Sequence, residues 1–226
     1  MKKTQIAIGA VLTLASMSAL ADENFPNTVR IGYAHIAVHS DSPNLTSNGP
    51  DFLTPQPAGI KVDNANTVYV GYTRRLTANV DFDLALGVPP EHDNRGTGTL
   101  APFGVTAKVK QRAPTVFINY NFGDESNAFR PFFGLGLNYT QFYDARSTAS
   151  GDLAAGGPTK ISLGDSAGWA AQIGVKYNLT NRWFLMANIA TADVKSPLTA
   201  TTGSIERKTI INFRPVVYIV TAGYAF

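Results

Sequence analysis

Two pairs of titratable residues have a spacing that could support chemistry: His35 with His39, and Asp81 with Asp83. Histidines four residues apart can chelate one metal ion on a helix, but on a strand this spacing separates them by roughly 13 Å, which is too far. Inward-facing carboxylates are costly unless they are paired. We therefore predict that the histidines are loop or interface residues and that the aspartates pair with cations. The candidate cations are Arg30, Arg75, Arg130 and Lys176.

An enzyme is not predicted. The chain has three histidines, none of them in a recognisable nucleophile arrangement. It has no cysteine, which excludes a disulfide framework and thiolate chemistry. The sequence therefore predicts neither a metal nor another cofactor, and an enzymatic reaction would have to depend on a residue such as His92 or Asp83.

The elements that carry these residues are predicted to be strands, because the end of the chain alternates strictly. One face of this segment carries Val216, Tyr218, Val220, Ala222, Tyr224 and Phe226, and the other carries Val217, Ile219, Thr221, Gly223 and Ala225. A strand that crosses lipid needs this period of two, with the larger apolar side chains outward. The two aromatic residues Tyr224 and Phe226 are predicted to form the C-terminal signal for the outer-membrane assembly machinery.

The start of the chain resembles a secretory signal peptide. Lys2 and Lys3 precede an apolar run over residues 6–14, and Ala19-Leu20-Ala21 forms a small-x-small cleavage site. We expect residues 1–21 to be removed and residues 22–226 to form a single barrel domain. Without the two lysines the charge is nearly balanced, so nucleic acid is not an expected partner.

Beyond the signal, no apolar stretch approaches the roughly 18 residues that a membrane helix needs. A membrane location therefore requires a closed barrel, because every backbone N–H and C=O must be paired within lipid. A soluble periplasmic β-sandwich would also alternate and contain Gly-rich turns. The aromatic content of 11% and the C-terminal Phe226 favour the barrel.

Eight segments show the alternating pattern, which predicts an all-β, eight-stranded antiparallel transmembrane barrel. They are residues 28–38, 67–76, 80–88, 115–122, 129–143, 169–179, 183–194 and 209–226. The connections alternate in length, as short periplasmic turns and long extracellular loops do. The short ones are residues 77–78, 123–128 and 180–182, and the long ones are 39–66, 89–104, 144–166 and 195–208. A barrel of this size encloses room for side chains or one slim ligand.

The alternation changes at Pro114. Apolar residues are odd-numbered before it (Val105, Ala107, Val109) and even-numbered after it (Val116, Ile118, Tyr120, Phe122). One interpretation is a bulge near Ala113 and Pro114 that absorbs an extra residue and opens the wall laterally, since proline lacks a ladder N–H. The other is that residues 105–112 project beyond the membrane, with Lys108, Lys110 and Arg112 solvated among lipopolysaccharide phosphates.

Three stretches resemble the OmpW family of small outer-membrane barrels: FRPFFGLGLNYTQFYD (residues 129–144), VDNANT (residues 62–67) and AGYAF (residues 222–226). The resemblance implies an eight-stranded barrel in the bacterial outer membrane with a mainly apolar lumen that passes small hydrophobic molecules, with lateral release near a proline that Pro114 matches. The chain departs from the family pattern at Ala85 and Ala190, where bulky Leu and Trp are expected, so its lumen is expected to be wider. It also has Arg214-Pro215-Val216 in place of Asp-Pro-Trp.

The sequence thus supports a passive channel for small apolar solutes in contact with outer-membrane lipid and lipopolysaccharide. A closed structural or adhesive barrel, whose extracellular loops bind a partner, is the alternative. The residues predicted to line the lumen are Ala85, Gly87, Phe117, Phe132, Gly134, Gly136, Ala190, Val217 and Ile219.

Overall fold

The computed structural model describes residues 26–226, so the predicted signal peptide lies outside the described residues. In chain order the strands are β1 (Asn27–Val38), β2 (Thr46–Ser47), β3 (Ala58–Val62), β4 (Ala65–Arg75), β5 (Val80–Gly87), β6 (Glu91–Gly98), β7 (Val105–Arg112), β8 (Thr115–Asn121), β9 (Phe129–Ser147), β10 (Thr159–Leu163), β11 (Ser166–Asn178), β12 (Trp183–Ala192), β13 (Lys195–Thr202), β14 (Ile205–Asn212) and β15 (Pro215–Ala225). A single α-helix in these residues, α1 (Ala149–Ala155), follows β9, and 3₁₀ turns occur at Asp51–Leu53 and Ala101–Phe103. Within residues 26–226, no helix is long and apolar enough to span a membrane.

Eight of these strands close into an antiparallel barrel, as predicted. Their order around the wall is β1, β4, β5, β8, β9, β11, β12 and β15, and β15 pairs back onto β1. The closure is sealed at its end by two backbone hydrogen bonds: Asn27 N–H donates to Phe226 O, and Phe226 N–H donates to Asn27 O. The C-terminal strand therefore closes the barrel by pairing with the first strand.

The outer face of this wall is apolar. Along β15, Tyr218, Val220 and Phe226 are exposed while Ile219 and Thr221 are buried, so the predicted sidedness of this strand is confirmed. Other strands behave in the same way, as expected of a wall in contact with lipid. Their exposed apolar side chains include Ile31, Tyr33, Val68, Val70, Leu86, Ile118, Phe133, Leu135, Leu137, Trp169, Ile173, Leu185 and Ile189.

The short turns lie at the predicted periplasmic end, and two of them share one design. Thr77 Oγ1 accepts hydrogen bonds from the backbone N–H groups of Asn79 and Val80. Thr180 Oγ1 accepts from Arg182 and Trp183 in the same way. A threonine hydroxyl that occupies N–H groups two and three residues ahead stabilises a tight turn. These turns fix which strands are neighbours.

The long connections are not irregular loops. β9 is long enough, at roughly 60 Å for nineteen residues, to cross the membrane and continue outside it. Its outer half pairs with β7, which continues through β6 to β3, while β10, β13, β14 and β2 form a second sheet. The extracellular part is thus an extension of the barrel wall, and α1 packs against β7.

The predicted bulge near Ala113 and Pro114 is wrong. Thr115 faces Asn138 and Arg112 faces Gln141, so two residues lie between these pairs on each strand and none is inserted. The apolar positions change parity because the apolar side chains face lipid along β8 but face the interior along β7. An extra residue does occur higher up, in β9, where Asp144 has φ 51° and lies opposite the step from Lys108 to Lys110.

The predicted last strand, residues 209–226, is also wrong at its start. The chain turns at Arg214, which has φ 44°, so β14 belongs to the extracellular sheet and β15 to the barrel. Arg214 pairs with Asp41 across 3.1 Å. Apolar residues lie on both sides of this turn, so the sequence pattern did not indicate that the chain changes sheet here.

Candidate functional site

Three cavities lie along the axis of the barrel. The extracellular chamber has a volume of about 350 Å³, the middle chamber about 130 Å³ and the periplasmic chamber about 560 Å³. Two layers of side chains separate them, one apolar and one polar. The arrangement of these two layers determines which solutes could move through the interior.

The extracellular chamber is lined mainly by apolar side chains from the wall extension and α1. Leu45, Ile60, Leu100 and Leu198 contribute to its sides. Phe52 and Leu153 also line it and are 78% and 75% exposed, so large apolar side chains lie in water at its rim. Exposed apolar surface of this kind is a place where an apolar solute can bind.

Arg207 connects the segments that form the rim of this chamber. It is buried, and its guanidinium donates to Thr54 Oγ1 at 2.8 Å, Thr202 Oγ1 at 3.2 Å, and the backbone O atoms of Leu53 and Ala155, each at 3.3 Å. Burial lowers the pKa of Arg207 from its ordinary value. The residue therefore connects the Asp51–Leu53 turn, β13 and the end of α1.

The layer beneath this chamber is an apolar cluster centred on Phe213. Phe213 is 2% exposed, and its ring centroid lies 5.7 Å from that of Phe142 and 5.2 Å from that of His92. Members of the cluster such as Leu198 line the extracellular chamber, whereas Phe213 itself lines the middle chamber. The cluster therefore separates the two cavities mainly with apolar side chains, with the His92 ring packed at its side.

Most of the predicted lumen residues meet in the middle chamber. Six of the nine line it: Ala85, Gly87, Phe117, Ala190, Val217 and Ile219. Phe132 instead lies in the periplasmic chamber. Gly134 and Gly136 face inward but are covered, because a Cβ at Gly134 would overlap Asn119 Oδ1 and a Cβ at Gly136 would overlap the backbone O of Val116.

A buried polar layer, which we call the plug, forms the floor of the middle chamber. At its centre, Arg30 forms an ion pair with Asp83, and both side chains are completely buried. Arg30 also donates to Tyr69 Oη at 3.3 Å, and Gln172 donates to Asp83 at 3.2 Å and to Asn119 at 2.8 Å. Asn188 adds a bond to Gln172 at 2.8 Å. Side chains from six strands thus fill the cross-section of the barrel.

The predicted pairing of the aspartates with cations is found for Asp83 but not for Asp81. Asp83 pairs with Arg30, one of the four candidate cations. Asp81 forms no ion pair within residues 26–226; its two oxygens instead accept from Asn119 and Asn121, each at 2.7 Å. The two carboxylates therefore have separate partners, and this arrangement is that of a structural network.

The wall of the middle chamber is discontinuous beside Ala113 and Pro114. The ladder between β5 and β8 ends at the pair Ala85 and Thr115, and the next backbone contact on that side joins Gln111 N–H to Pro90 O at 3.2 Å. On the other side, Tyr139 N–H donates to Pro114 O at 3.1 Å, so β8 and β9 stay joined. Leu86 and Ala113 line the chamber although both are exposed.

His35 and His92 each form local structural contacts. His35 Nδ1 lies 2.7 Å from Asn66 Oδ1, and its ring stacks on Tyr218. His92 is buried in β6 with Nδ1 2.9 Å from Asp63 O, and burial lowers its pKa. Among residues 26–226, no three or more acidic or histidine side chains are grouped so that they could hold a metal ion.

The sequence did not predict two parts of this site, the plug as a layer and the apolar cluster at Phe213. Alternate polar residues on β8 and β11, such as Asn119, Asn121 and Gln172, were the available signal for the plug. The cluster combines residues from connections that were treated as loops, so no single segment marked it.

Comparison with known proteins gives a consistent result. The OmpW family model matches residues 27–226. Outer membrane protein W of Vibrio cholerae is 29% identical over 230 residues and covers 100% of both chains. The dibenzothiophene metabolism operon protein PahQ of Pseudomonas aeruginosa is 28% identical over 100% of this chain and 99% of its own. The crystal structure of OprG from Pseudomonas aeruginosa has the same fold, with a TM-score of 0.80, 24% identity and coverage of 88% of this chain and 95% of that one.

Proposed function

We propose that this chain, which belongs to the OmpW family, is a passive channel that takes small apolar molecules from outside the cell and releases them sideways into the membrane. Its place is the bacterial outer membrane. The observation that carries the proposal is the combination of an apolar extracellular chamber, an apolar cluster between it and the middle chamber, a polar plug below the middle chamber, and a discontinuous wall beside it.

The path into the barrel suits an apolar solute. The lipopolysaccharide layer is a barrier for such molecules because its sugars and phosphates hold water and charge. Phe52 and Leu153 provide exposed apolar surface at the rim, and the buried cluster around Phe213, whose side chains would have to move aside for the solute, is apolar as well. Each methylene that leaves water contributes about 0.8 kcal/mol. The solute therefore needs no energy source to enter.

The plug disfavours an axial exit. To pass it, an apolar solute would have to separate the buried pair of Arg30 and Asp83, and breaking such a pair costs about 3–5 kcal/mol. The gap between β5 and β8 requires no such step, since no ladder hydrogen bonds join the strands between Ala85 and Pro90. Lateral release beside Ala113 and Pro114 is the lower barrier.

The relatives support an apolar cargo. PahQ is named for a dibenzothiophene metabolism operon, and dibenzothiophene is an uncharged, fused aromatic compound. The middle chamber of this chain has Ala85 and Ala190 in its wall, and both are small. A flat aromatic hydrocarbon is thus the solute class with which the proposal is best tested.

The first test compares cells with and without the protein for uptake of naphthalene and of a polar solute of similar size. We expect faster uptake of naphthalene alone. If neither rate changes, the channel is wrong and the adhesive barrel becomes the better explanation. In that case deletion of residues 147–163 should abolish binding of a partner.

The lateral exit is tested with a reversible cross-link. If the ladder of β5 and β8 were closed beyond Ala85 and Thr115, Gly87 would lie opposite Ala113, so a disulfide between these positions would join the strands across the gap; the chain has no cysteine of its own. In the double variant Gly87→Cys with Ala113→Cys, a disulfide should stop naphthalene uptake and reduction should restore it. The single variants are the controls. Unchanged uptake with the disulfide formed would exclude this exit.

A further inference from the structure

Two cations face each other in the periplasmic chamber. Arg130 on β9 and Lys176 on β11 are directly opposite in the strand register, and both line the chamber. Side chains in such a pair have Cβ atoms roughly 5 Å apart, and like charges there are destabilising.

Within residues 26–226, no carboxylate forms an ion pair with either cation, Arg130 or Lys176, although other cations are paired in this way. The nearby acids have other partners: Asp81 accepts from two asparagines, and Glu125 pairs with Arg75. The charged side chains in the described lining are three cations (Arg75, Arg130 and Lys176) and two acids (Asp81 and Glu125), so the cations exceed the acids by one.

Not every N–H group of Arg130 has a hydrogen-bond acceptor. Arg130 is 7% exposed and donates through Nη2 to Ala78 O at 2.9 Å and Gly123 O at 3.2 Å, but its buried Nε has no partner in the described part of the chain. Lys176 Nζ lies 4.3 Å from the ring centroid of Phe184. A buried cation with free N–H groups is the usual feature of an anion site.

We propose that the periplasmic chamber binds a small organic carboxylate, with its anionic group between Arg130 and Lys176 and its apolar body against Phe132 and Phe184. These two rings are each 3% exposed and form one cluster with Met186 beside the cations. A volume of about 560 Å³ is in the range of small-molecule sites. An aromatic acid combines the required charge with the required apolar surface.

This site is independent of the proposed channel. The plug separates it from the middle chamber, so an anion that binds from the periplasm does not share the path of an apolar solute. Loss of the anion site should leave naphthalene uptake unchanged, and a channel that fails its own test would not affect the anion site.

The experiment uses the protein of residues 22–226, refolded in dodecylphosphocholine micelles, with benzoate as the probe and benzamide as its neutral analogue of the same shape. Binding is followed by the amide NMR shifts of β9, β11 and β12. We expect saturable shifts with benzoate, and about tenfold to hundredfold weaker binding of benzamide, since the analogue lacks the charge-assisted hydrogen bonds.

Lys176→Gln and Arg130→Gln should each weaken benzoate binding by a similar factor. Lys176→Gln should also raise the melting temperature of the ligand-free protein, because the repulsion between Lys176 and Arg130 is removed; a merely structural lysine would give a lower one. Arg130→Gln tests binding only, since it also loses the hydrogen bonds to Ala78 O and Gly123 O. Lys61→Gln, an exposed change of the same charge on β3, is the matched control and should change neither quantity. Equal binding of benzamide, or unchanged binding in both variants, would overturn the proposal.

Discussion

Filling the middle chamber should block the proposed channel. Ala85 is 9% exposed and lies in a cluster with Ala34, Tyr69, Phe117 and Ile219. An apolar cavity of roughly 150 Å³ holds one benzene molecule, so a chamber of about 130 Å³ has space for about one six-membered ring. The indole of an Ala85→Trp variant is larger than that ring and would occupy the chamber.

A solute could pass this variant only by displacing the packed indole. Rearranging an overfilled interior costs about 1–3 kcal/mol, which corresponds to a reduction of roughly fivefold to hundredfold in rate. We therefore expect protein-dependent uptake of naphthalene to fall by at least that lower factor, while the amount of folded barrel in the outer membrane stays the same.

The control is Ala187→Trp, which makes the same change on the exposed face of β12. The assay measures naphthalene uptake in cells with matched amounts of each variant, after subtraction of the rate in cells without the protein. If Ala85→Trp and wild type have equal rates, or if both tryptophan variants lose the same fraction, passage through the middle chamber is refuted.

Two further predictions concern stability. Asp83→Ala leaves the buried charge of Arg30 without its partner and should lower the free energy of unfolding by urea by about 3–5 kcal/mol. Arg30→Met combined with Asp83→Ala should recover most of this loss. Additive losses in the double variant would contradict the buried pair. Burial lowers the pKa of His92, in the extracellular strand β6, so the folded protein takes up this proton less readily than the unfolded chain. Stability should therefore be retained above pH of about 6.5 and should decrease as the pH falls below it, and His92→Gln should remove this part of the pH dependence; an unchanged pH profile in the variant would exclude His92 as its source.

The wall of the barrel was predictable because each strand in lipid carries its own local signal. Exposed residues such as Ile31, Leu135 and Val220 recur at every second position, so the count of eight strands and their order follow from the sequence. The two wrong predictions, the bulge near Pro114 and the start of the last strand, concern places where the surroundings of the side chains change. At Pro114 the apolar side chains change from facing the interior, along β7, to facing lipid, along β8. At Arg214 an apolar run passes from one sheet to another.

The candidate site was less predictable because it depends on contacts between distant strands. Four cations were candidates for the two aspartates, but only the register of β1, β4 and β5 places Arg30 beside Asp83. The Phe213 cluster likewise draws on β7, β9 and the residues after β14. Such pairings are a property of the assembled barrel and leave no periodic pattern in a single segment.

The sizes of the chambers bear on the direction of transport. A solute in the middle chamber removes only part of its surface from water, since the space of about 130 Å³ is smaller than most apolar cargoes and has the polar plug as its floor. The same solute in the hydrocarbon of the membrane removes all of its surface, at about 25 cal/mol for each Å². In the proposed channel, the free energy of the solute would therefore fall from the extracellular chamber to the bilayer, and the middle chamber would not retain the solute. A deeper apolar cavity would bind the cargo more strongly and slow its release, so a small middle chamber beside an open wall favours throughput over affinity.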